Sequence, residues 1–320
     1  MRARPLLPLL LAWSCACAFA AATTLDERTL RAGDSVLRIT VAAPNPARAE
    51  ELHRWLAEAA STTLSVSGRF PLDDAQVKVE EIDSRDASPV PWGQTSRRDG
   101  VAVLLFVRRD ATFEDLRADW TAVHELAHLF HPYLGRRGRW LAEGLASYYQ
   151  NVLRARTGLL DEAEAWQRLD AGFGRGRAAT TDVRLDMLGR QRGGTMRIYW
   201  AGAAYWLEAD LALRARGSDL DAVLAQYARC CLHGTGAVAP EAFGAELDRI
   251  SGGDIFSDLY QRYATARAFP SLDAAYRQLG ITRGGGQLQF STQSDAARLR
   301  RAMMGRRAST KLVERTQGGS

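Results

Sequence analysis

Two histidines four residues apart, His124 and His128, with Glu125 directly after the first, constrain this chain more than any other feature. Residues four apart in an α-helix project from one face about a turn apart, so both imidazoles can bind one metal ion if the segment is helical. Glu125 points toward the same side and can take a proton from a zinc-activated water and pass it to a leaving amine. The segment therefore predicts a helix that carries two zinc ligands and a general base.

The alternative is a helix on which two histidines and an acid occur by chance. The chain has five histidines, and three of them lie between positions 124 and 131. A catalytic zinc site also needs a third protein ligand and an open fourth position. Glu143 meets that need, because it stands among Trp, Leu, Ala and Gly in the next predicted helix, where an unpaired carboxylate is costly. An antiparallel helical hairpin would bring Glu143 to the two histidines.

Three further side chains are candidates for the same site. His131 shares the helix face of His128 and is predicted to lie beside the metal ligands, with a direct metal role as the alternative. Tyr148 follows Glu143 in the same predicted helix and could contact the ligands or stand in the core. The Tyr199 phenol can donate a hydrogen bond to a developing oxyanion, against the alternative of a core or cleft tyrosine.

The first third of the chain reads as mixed α/β. Apolar patterns predict strands over 35–42, 77–82 and 101–107 and a helix over 47–65, while the Ser, Asp, Pro and Gly of 84–100 predict a loop. The strand over 101–107 could be a cleft edge that pairs with an extended substrate, or an interior strand.

From Thr112 onward the pattern is helical. Thr112 and Asp115 predict a capping box that opens a helix to His131, where Pro132 stops it. Residues 171–195 are predicted to be irregular. Further helices are predicted over 139–156, 198–215, 219–229, 240–250 and 254–265. The predicted divisions are a signal peptide over 1–22, an α/β lobe over 23–111, a mainly helical core over 112–281 and a flexible basic tail over 282–320.

The N-terminus has the pattern of an export signal. Two arginines precede an apolar run over 6–18, and Ala18-Phe19-Ala20 fits the cleavage rule for small residues. We therefore expect an exported protein, periplasmic or secreted, with a lipoprotein anchored through Cys15 or Cys17 as the alternative. No other segment reaches about 18 uninterrupted apolar residues, so no membrane span is expected after signal removal.

Charge and cysteine content bear on which partners and cross-links the chain can have. The net charge of the full chain is +5, and loss of the two N-terminal arginines leaves +3, which is too weak a balance to indicate a nucleic-acid partner. After signal removal only Cys230 and Cys231 remain, and such adjacent cysteines could form a disulfide or stay as thiols. The run that contains Arg136, Arg137 and Arg139 could face the cleft and attract a C-terminal carboxylate, or form a solvated loop.

The zinc-ligand pattern, followed by Trp140-Leu141-Ala142-Glu143-Gly144-Leu145-Ala146, resembles the gluzincin zinc peptidases. Tyr199-Trp200-Ala201-Gly202 resembles a helix start of both the M1 aminopeptidases and the M61 glycyl-aminopeptidase-like family within that clan, and residues 252–280 resemble the M61 family. The resemblance implies an α+β, thermolysin-like catalytic domain, in which a small α/β lobe with the His-Glu-x-x-His helix packs on a mainly helical lobe. It also implies one zinc ion held by His124, His128 and Glu143, Glu125 as the base, and Tyr199 at the oxyanion.

The same resemblance implies an aminopeptidase-like enzyme that acts on a peptide or protein substrate. Two departures bear on that expectation: the Gly-Ala-Met-Glu-Asn motif of the M1 aminopeptidases is absent, and Ala201 stands where a lysine is usual. The alternatives are an endopeptidase of the same clan and a non-catalytic zinc-binding envelope protein built on the peptidase fold.

Overall fold

A computed structural model describes residues 24–97, 100–189, 194–232, 235–308 and 312–316. The signal peptide predicted over 1–22 lies outside the described residues. The strands are β1 (Thr24–Ala32), β2 (Ser35–Ala43), β3 (Asp74–Ile82), β4 (Trp92–Ser96), β5 (Ala102–Arg108), β6 (Ile281–Gly284), β7 (Gln287–Phe290) and β8 (Val313–Thr316). The α-helices are α1 (Pro46–Ser67), α2 (Phe113–Ala118), α3 (Thr121–Ala127), α4 (Arg139–Thr157), α5 (Glu162–Ala178), α6 (Leu185–Leu188), α7 (Thr195–Ala215), α8 (Leu220–Cys230), α9 (Pro240–Ser251), α10 (Ile255–Ala264), α11 (Asp273–Leu279) and α12 (Ser294–Met304).

Six strands form one mixed sheet in the order β4-β5-β3-β2-β1-β8. The central strands β2, β3 and β5 are parallel neighbours, whereas β1, β8 and β4 are antiparallel to the strands they join. Burial alternates along β2, β3 and β5, as expected for strands with one face on the core. Helix α1 contacts β2, α3 and α4, so it joins the sheet to the helices. The prediction of a mixed α/β fold is confirmed.

The loop predicted over 84–100 contains strand β4, which the apolar pattern did not indicate. Its sequence, Trp-Gly-Gln-Thr-Ser, has no run of β-branched or alternating apolar residues, and it is held by pairing with β5 and by contact with α3. Strand β5 lies between β4 and β3, so the cleft-edge hypothesis for 101–107 is wrong and the interior alternative is right. Among the described strands, β4 is the outermost at this end of the sheet and leaves its other edge unpaired.

The single helix predicted over 112–131 is divided into three pieces. The capping box at Thr112 is confirmed and opens α2, but α2 ends at Ala118 and Asp119 is extended. The Asp119 carboxylate then accepts a hydrogen bond from the Thr121 backbone N–H at 2.6 Å, which favours a new start for α3. Residues 128–130 form a 3-10 turn, and the extended backbone at His131 ends the segment.

Two other predictions for the helical part are corrected. Residues 171–195 are not all irregular, because α5 continues to Ala178 and α6 follows. Residues 282–304 are not a loose tail: β6 and β7 form a hairpin, and α12 buries Ala296, Met303 and Met304 among its arginines. The arginine-rich composition of this segment hid an apolar stripe at helical spacing.

Two smaller features complete the description. Cys230 and Cys231, at the end of α8, are joined by a disulfide. In the part of the chain that the structure describes, no helix combines the length and apolar content needed to cross a bilayer.

Candidate metal centre

Helix α3, the 3-10 turn that follows it and helix α4 bring His124, His128 and Glu143 together. The ligand atoms of these three side chains all lie within 4.8 Å of one another. Glu143 Oε2 is 3.4 Å from His124 Nε2 and 3.6 Å from His128 Nε2. The helical hairpin predicted from the sequence therefore places the third candidate ligand opposite the two histidines.

The spacing of these atoms fits a zinc ion. With zinc–ligand bonds of about 2.1 Å, ligand atoms at tetrahedral corners lie roughly 3.4 Å apart. Two imidazoles and one carboxylate are also a donor set that zinc uses in catalytic sites, where a fourth position stays open. The side chains of His124 and Glu143 are only 2% and 16% exposed. Burial of these groups is easier to explain with a cation between them.

Each histidine is held from behind by a second polar group. The Nδ1 atom of His124 lies 2.7 Å from Gln150 Oε1, and because an amide oxygen only accepts, Nδ1 carries the proton. His128 Nδ1 lies 2.8 Å from His131 Nε2, and His131 Nδ1 donates to the Pro132 carbonyl at 2.7 Å. Both imidazoles then turn Nε2 toward Glu143, where the neutral form of each ring can offer that nitrogen to a metal ion.

This arrangement places His131 where the sequence predicted it, beside the ligands. Burial, with the neighbouring His128 and Arg97, holds the pKa of His131 well below its ordinary value, so it is neutral and accepts from His128. Gln150 was not predicted. Its position seven residues after Glu143, two helical turns along one face of α4, is a signal that could have identified it.

Charge at the centre is balanced within the cluster. Burial would raise the pKa of Glu143, but hydrogen bonds and the charges of His124 and His128 hold it well below its ordinary value. Burial would lower the pKa of His124, but Glu143, Glu125 and Gln150 raise it. The carboxylate is therefore ionised and available as an anionic ligand.

Strand β4 fixes the position of Glu125. The Thr95 hydroxyl lies 3.0 Å from Glu125 Oε2 and 2.9 Å from the Glu125 carbonyl oxygen, within donating distance of both. Gly93 allows this close approach, because a Cβ at that position would lie 2.7 Å from Glu125 Cγ. Glu125 itself is 7% exposed and lines the cleft. Neither contact was predicted, since 84–100 was expected to be a loop.

Helix α7 places Tyr199 over the centre. Its ring stacks on the His124 imidazole with centroids 5.6 Å apart and planes 6° apart. Burial, together with Glu143, raises the pKa of Tyr199 well above its ordinary value, so the hydroxyl keeps its proton as a donor. Tyr148 is different: it is fully buried, and its hydroxyl donates to Asp210 at 2.8 Å. The prediction that Tyr148 supports the ligands is wrong, and its core alternative is right.

A glycine pair sets the distance between α4 and α7. A Cβ added to Gly144 would lie 2.3 Å from the Gly202 carbonyl carbon, so the two backbones touch at this crossing. Gly144 follows Glu143 directly, and Gly202 stands one turn after Tyr199. Because the helices cross there, the carboxylate and the phenol lie side by side.

A cavity of about 730 Å³ opens over these groups. One wall is β4, with Trp92, Gln94 and Thr95, and the other is the connecting loop, which we define as residues 131–138 between the 3-10 turn and α4. Trp92 and Tyr133 are about half exposed on the two walls. The floor holds Glu125, His128 and Glu143, so a ligand in the cleft would reach the candidate metal ligands.

Arg97 lies at the inner end of the β4 wall. Its guanidinium donates to the His128 and His131 carbonyl oxygens at 3.0 and 2.5 Å, and burial lowers its pKa to about 10. The carbonyls at the end of a helix carry partial negative charge, which a cation there stabilises. Arg97 therefore anchors the backbone that presents His128.

No model of a known protein family matches this chain, and no curated protein does. Solved structures with a similar fold include an aminopeptidase N family protein from Idiomarina loihiensis, with a TM-score of 0.59 and 16% identity over 81% of this chain. Aminopeptidase A of Legionella pneumophila, in complex with aspartic acid, has a TM-score of 0.51 and 14% identity over 77% of this chain. The chain spans 49% and 28% of the lengths of these two proteins.

These likenesses concern the fold. The chain shares its fold with parts of these two aminopeptidases. The closer assignment to the M61 family and the thermolysin-like description stay predictions.

Proposed function

We propose that this chain is a zinc-dependent peptidase. The observation that carries the proposal is the convergence of His124, His128 and Glu143 at zinc-ligand spacing, beneath an open cleft and beside Glu125. A binding protein would need the three ligands but would not need Glu125, a carboxylate held by Thr95 at the cleft floor.

Zinc bound by these three side chains would supply a Lewis acid and lower the pKa of a water toward about 7. Glu125 then accepts a proton from the attacking water on a carboxylate oxygen and delivers it to the leaving amine nitrogen. The Thr95 hydroxyl keeps that carboxylate oriented. Tyr199 keeps its own proton and donates a hydrogen bond to the developing oxyanion, an interaction of a kind that contributes about 3–4 kcal/mol in hydrolases.

The free edge of β4 supplies a place for the substrate backbone. Strand β4 pairs with β5 on one side, and its other edge borders the cleft near Glu125. An extended peptide can add to such an edge through main-chain hydrogen bonds. This arrangement suits a peptide or protein substrate, in the M61-like manner that the sequence indicates.

The described cleft lining favours an endopeptidase over the aminopeptidase-like activity. An aminopeptidase needs an anionic group for the protonated N-terminal amine, and the carboxylates that line the described cavity are Glu125 and Glu143. Both are assigned to proton transfer and metal binding. Gln94 and Thr95 on the β4 wall are neutral, so a blocked or internal peptide segment fits as well as a free amine.

The test uses purified protein with measured zinc content and a diverse peptide library, supplied with free and with acetylated N-termini. We expect about one zinc per chain and cleavage in both halves of the library, detected by mass spectrometry. Glu125→Gln keeps the size of the side chain and should lower the rate by about 100-fold or more. Zinc-loaded protein that cleaves nothing would favour the non-catalytic binding protein, and activity unchanged in Glu125→Gln would rule out the proposed base.

Export is a separate proposal that rests on the signal pattern over 1–22. We expect the mature protein outside the cytoplasm, beginning near residue 21–23. Cell fractionation and N-terminal sequencing test both points, and an intact N-terminus in the cytoplasmic fraction would contradict them.

A further inference from the structure

The connecting loop and the start of α4 carry three arginines that point to different places. Arg137 Nη2 lies 2.6 Å from Glu241 Oε1 and forms an exposed ion pair outside the main cavity. Arg136 and Arg139 both line the cavity above the metal centre. The sequence left open whether the whole run faces the cleft, and the structure separates two of its members from the third.

Arg136 presents a free guanidinium to the cleft. Within the described ranges, its side chain has neither a hydrogen bond nor an ion pair, and it is exposed. Its backbone packs closely against Gly189, because a Cβ on that glycine would lie 2.1 Å from the Arg136 carbonyl oxygen. Gly138 N–H also donates to the Leu134 carbonyl across the loop at 3.2 Å. The loop backbone therefore places the Arg136 side chain on the cleft wall, where its guanidinium is available to a ligand.

Arg139 stands beside it, one helical turn before Glu143. Its Nε lies 3.4 Å from Glu143 Oε1, and its side chain is 39% exposed. A guanidinium has five N–H donors, so one long contact leaves most of them available to a ligand in the cavity. Arg139 therefore contacts the candidate metal ligand Glu143 and still has donors for a ligand in the cavity.

The balance of charge along the described cavity lining is positive. It contains the guanidiniums of Arg97, Arg136 and Arg139 and the carboxylates of Glu125 and Glu143. Arg97 donates to backbone carbonyls and pairs with no described carboxylate, so its positive charge is not cancelled. A zinc ion would add two further positive charges at the floor. Such a cleft attracts an anionic group and disfavours a second cation.

We infer that Arg136, supported by Arg139, binds a carboxylate of the peptide substrate and selects acidic peptides for this cleft. The inference rests on the proposed peptidase function and names its substrate class. Guanidinium and carboxylate are matched in shape and form paired charge-assisted hydrogen bonds. The carboxylate can be the C-terminus of the peptide or an Asp or Glu side chain, because both offer the same two oxygens.

The experiment compares peptide pools that differ by one charge. One random hexapeptide pool is prepared as the free acid and as the C-terminal amide, and a second amidated pool carries one fixed Asp or one fixed Asn. The wild type should cleave the pool that has the matching carboxylate with a kcat/KM about tenfold higher than that for its neutral counterpart. Preference for the free acid over the amide identifies the C-terminus, and preference for Asp over Asn identifies the side chain.

Arg136→Gln and Arg137→Gln are the matched variants, since the two arginines are adjacent and both exposed. Arg136→Gln should remove the preference by raising KM for acidic peptides about tenfold, with kcat and the cleavage of neutral peptides unchanged. Arg137→Gln should behave as the wild type. An equal loss for acidic and neutral peptides, or an equal effect of the two variants, would overturn the inference.

A binding measurement keeps this result distinct from failure of the proposed function. Calorimetry with zinc-loaded Glu125→Gln protein reports the affinity for the free-acid and amide pools without turnover. If the wild type cleaves peptides but shows no preference between pools, the inference is wrong and the function stands. If nothing is cleaved, the proposed function is wrong, but a preference for acidic peptides in this binding assay still supports the Arg136 site. If the binding assay also shows no such preference, the Arg136 site is wrong too.

Discussion

Gly144 and Gly202 place the backbones of α4 and α7 in direct contact at the point where the candidate site is assembled. A Cβ on Gly202 would lie 2.7 Å from Gly144 Cα and 1.9 Å from the Trp140 carbonyl oxygen. Real Cβ atoms do not approach so closely, so neither helix can carry a larger residue here without moving. Such a movement would separate Glu143 from Tyr199.

Gly202→Ala should therefore destabilise the protein by about 3 kcal/mol and weaken zinc binding, because the helices must part. Urea unfolding and zinc titration measure the two effects. Gly174→Ala is the control, since that glycine in α5 has no heavy atom within 4 Å of its added Cβ. The control should be neutral or slightly stabilising. Equal stability of the two variants would contradict the close crossing.

Gly93→Ala should impair catalysis and leave zinc content unchanged. The added methyl would press on Glu125 Cγ and Thr121 Cγ2, at 2.7 and 2.9 Å, and displace the base without touching the ligands. A misplacement of about 1 Å can cost about 100-fold in rate. Steady-state kinetics should show a lower kcat with about one zinc per chain still bound. Loss of zinc together with activity would mean that β4 supports the ligands and not the base alone.

Gln150→Leu should weaken zinc binding by about 10- to 100-fold, because His124 loses the partner that orients its imidazole. Competition with a chelator of known affinity measures the change. Tyr148→Phe is the matched control on the same helix, since its hydroxyl binds Asp210. That variant should lose stability but keep its zinc affinity. Similar zinc affinities in both variants would remove Gln150 from the site.

The sequence predicted the parts of the site that depend on spacing within one helix. Helical periodicity alone predicts that His124, Glu125 and His128 share a helical face. Glu143 was identifiable because it is an acid in an apolar stretch, where burial needs a partner or a metal ion. The contacts that depend on chain pairing were missed. Strand β4 has no apolar pattern, so Thr95 and Gly93 reach Glu125 only because β5 positions the strand. Tyr148 was misplaced because its partner, Asp210, lies 62 residues away in sequence.

The buried Asp221 gives a test of stability against pH. It lies 2.9 Å from Arg156 and from Arg307 and is 5% exposed. Burial would raise its pKa, but the two arginines lower it below its ordinary value. A carboxylate with a depressed folded-state pKa contributes stability above the unfolded value of about 3.9, and this is lost as pH falls below it toward the folded pKa.

Asp221→Asn should cost about 3–5 kcal/mol at pH 7, because it leaves Arg156 buried without its anion. The difference from the wild type should shrink at pH 3, because the carboxylate of the unfolded chain is protonated below about 3.9 while the native one has a lower pKa. Asp182→Asn is the control, since that residue is 91% exposed in its pair with Arg267 and should have little effect. Urea unfolding at both pH values measures this, and a difference independent of pH would contradict the prediction.

The connecting loop, residues 131–138, joins the segment of α3 and the 3-10 turn, which carries two of the candidate metal ligands, to α4, which carries the third. It also carries Arg136 on the cleft wall and His131 behind His128. Under the proposed function, metal and peptide would therefore act on the same short segment of backbone. If zinc orders this segment and the peptide needs it ordered, the binding equilibria are thermodynamically linked. Each ligand then strengthens the other by the same factor, whichever binds first.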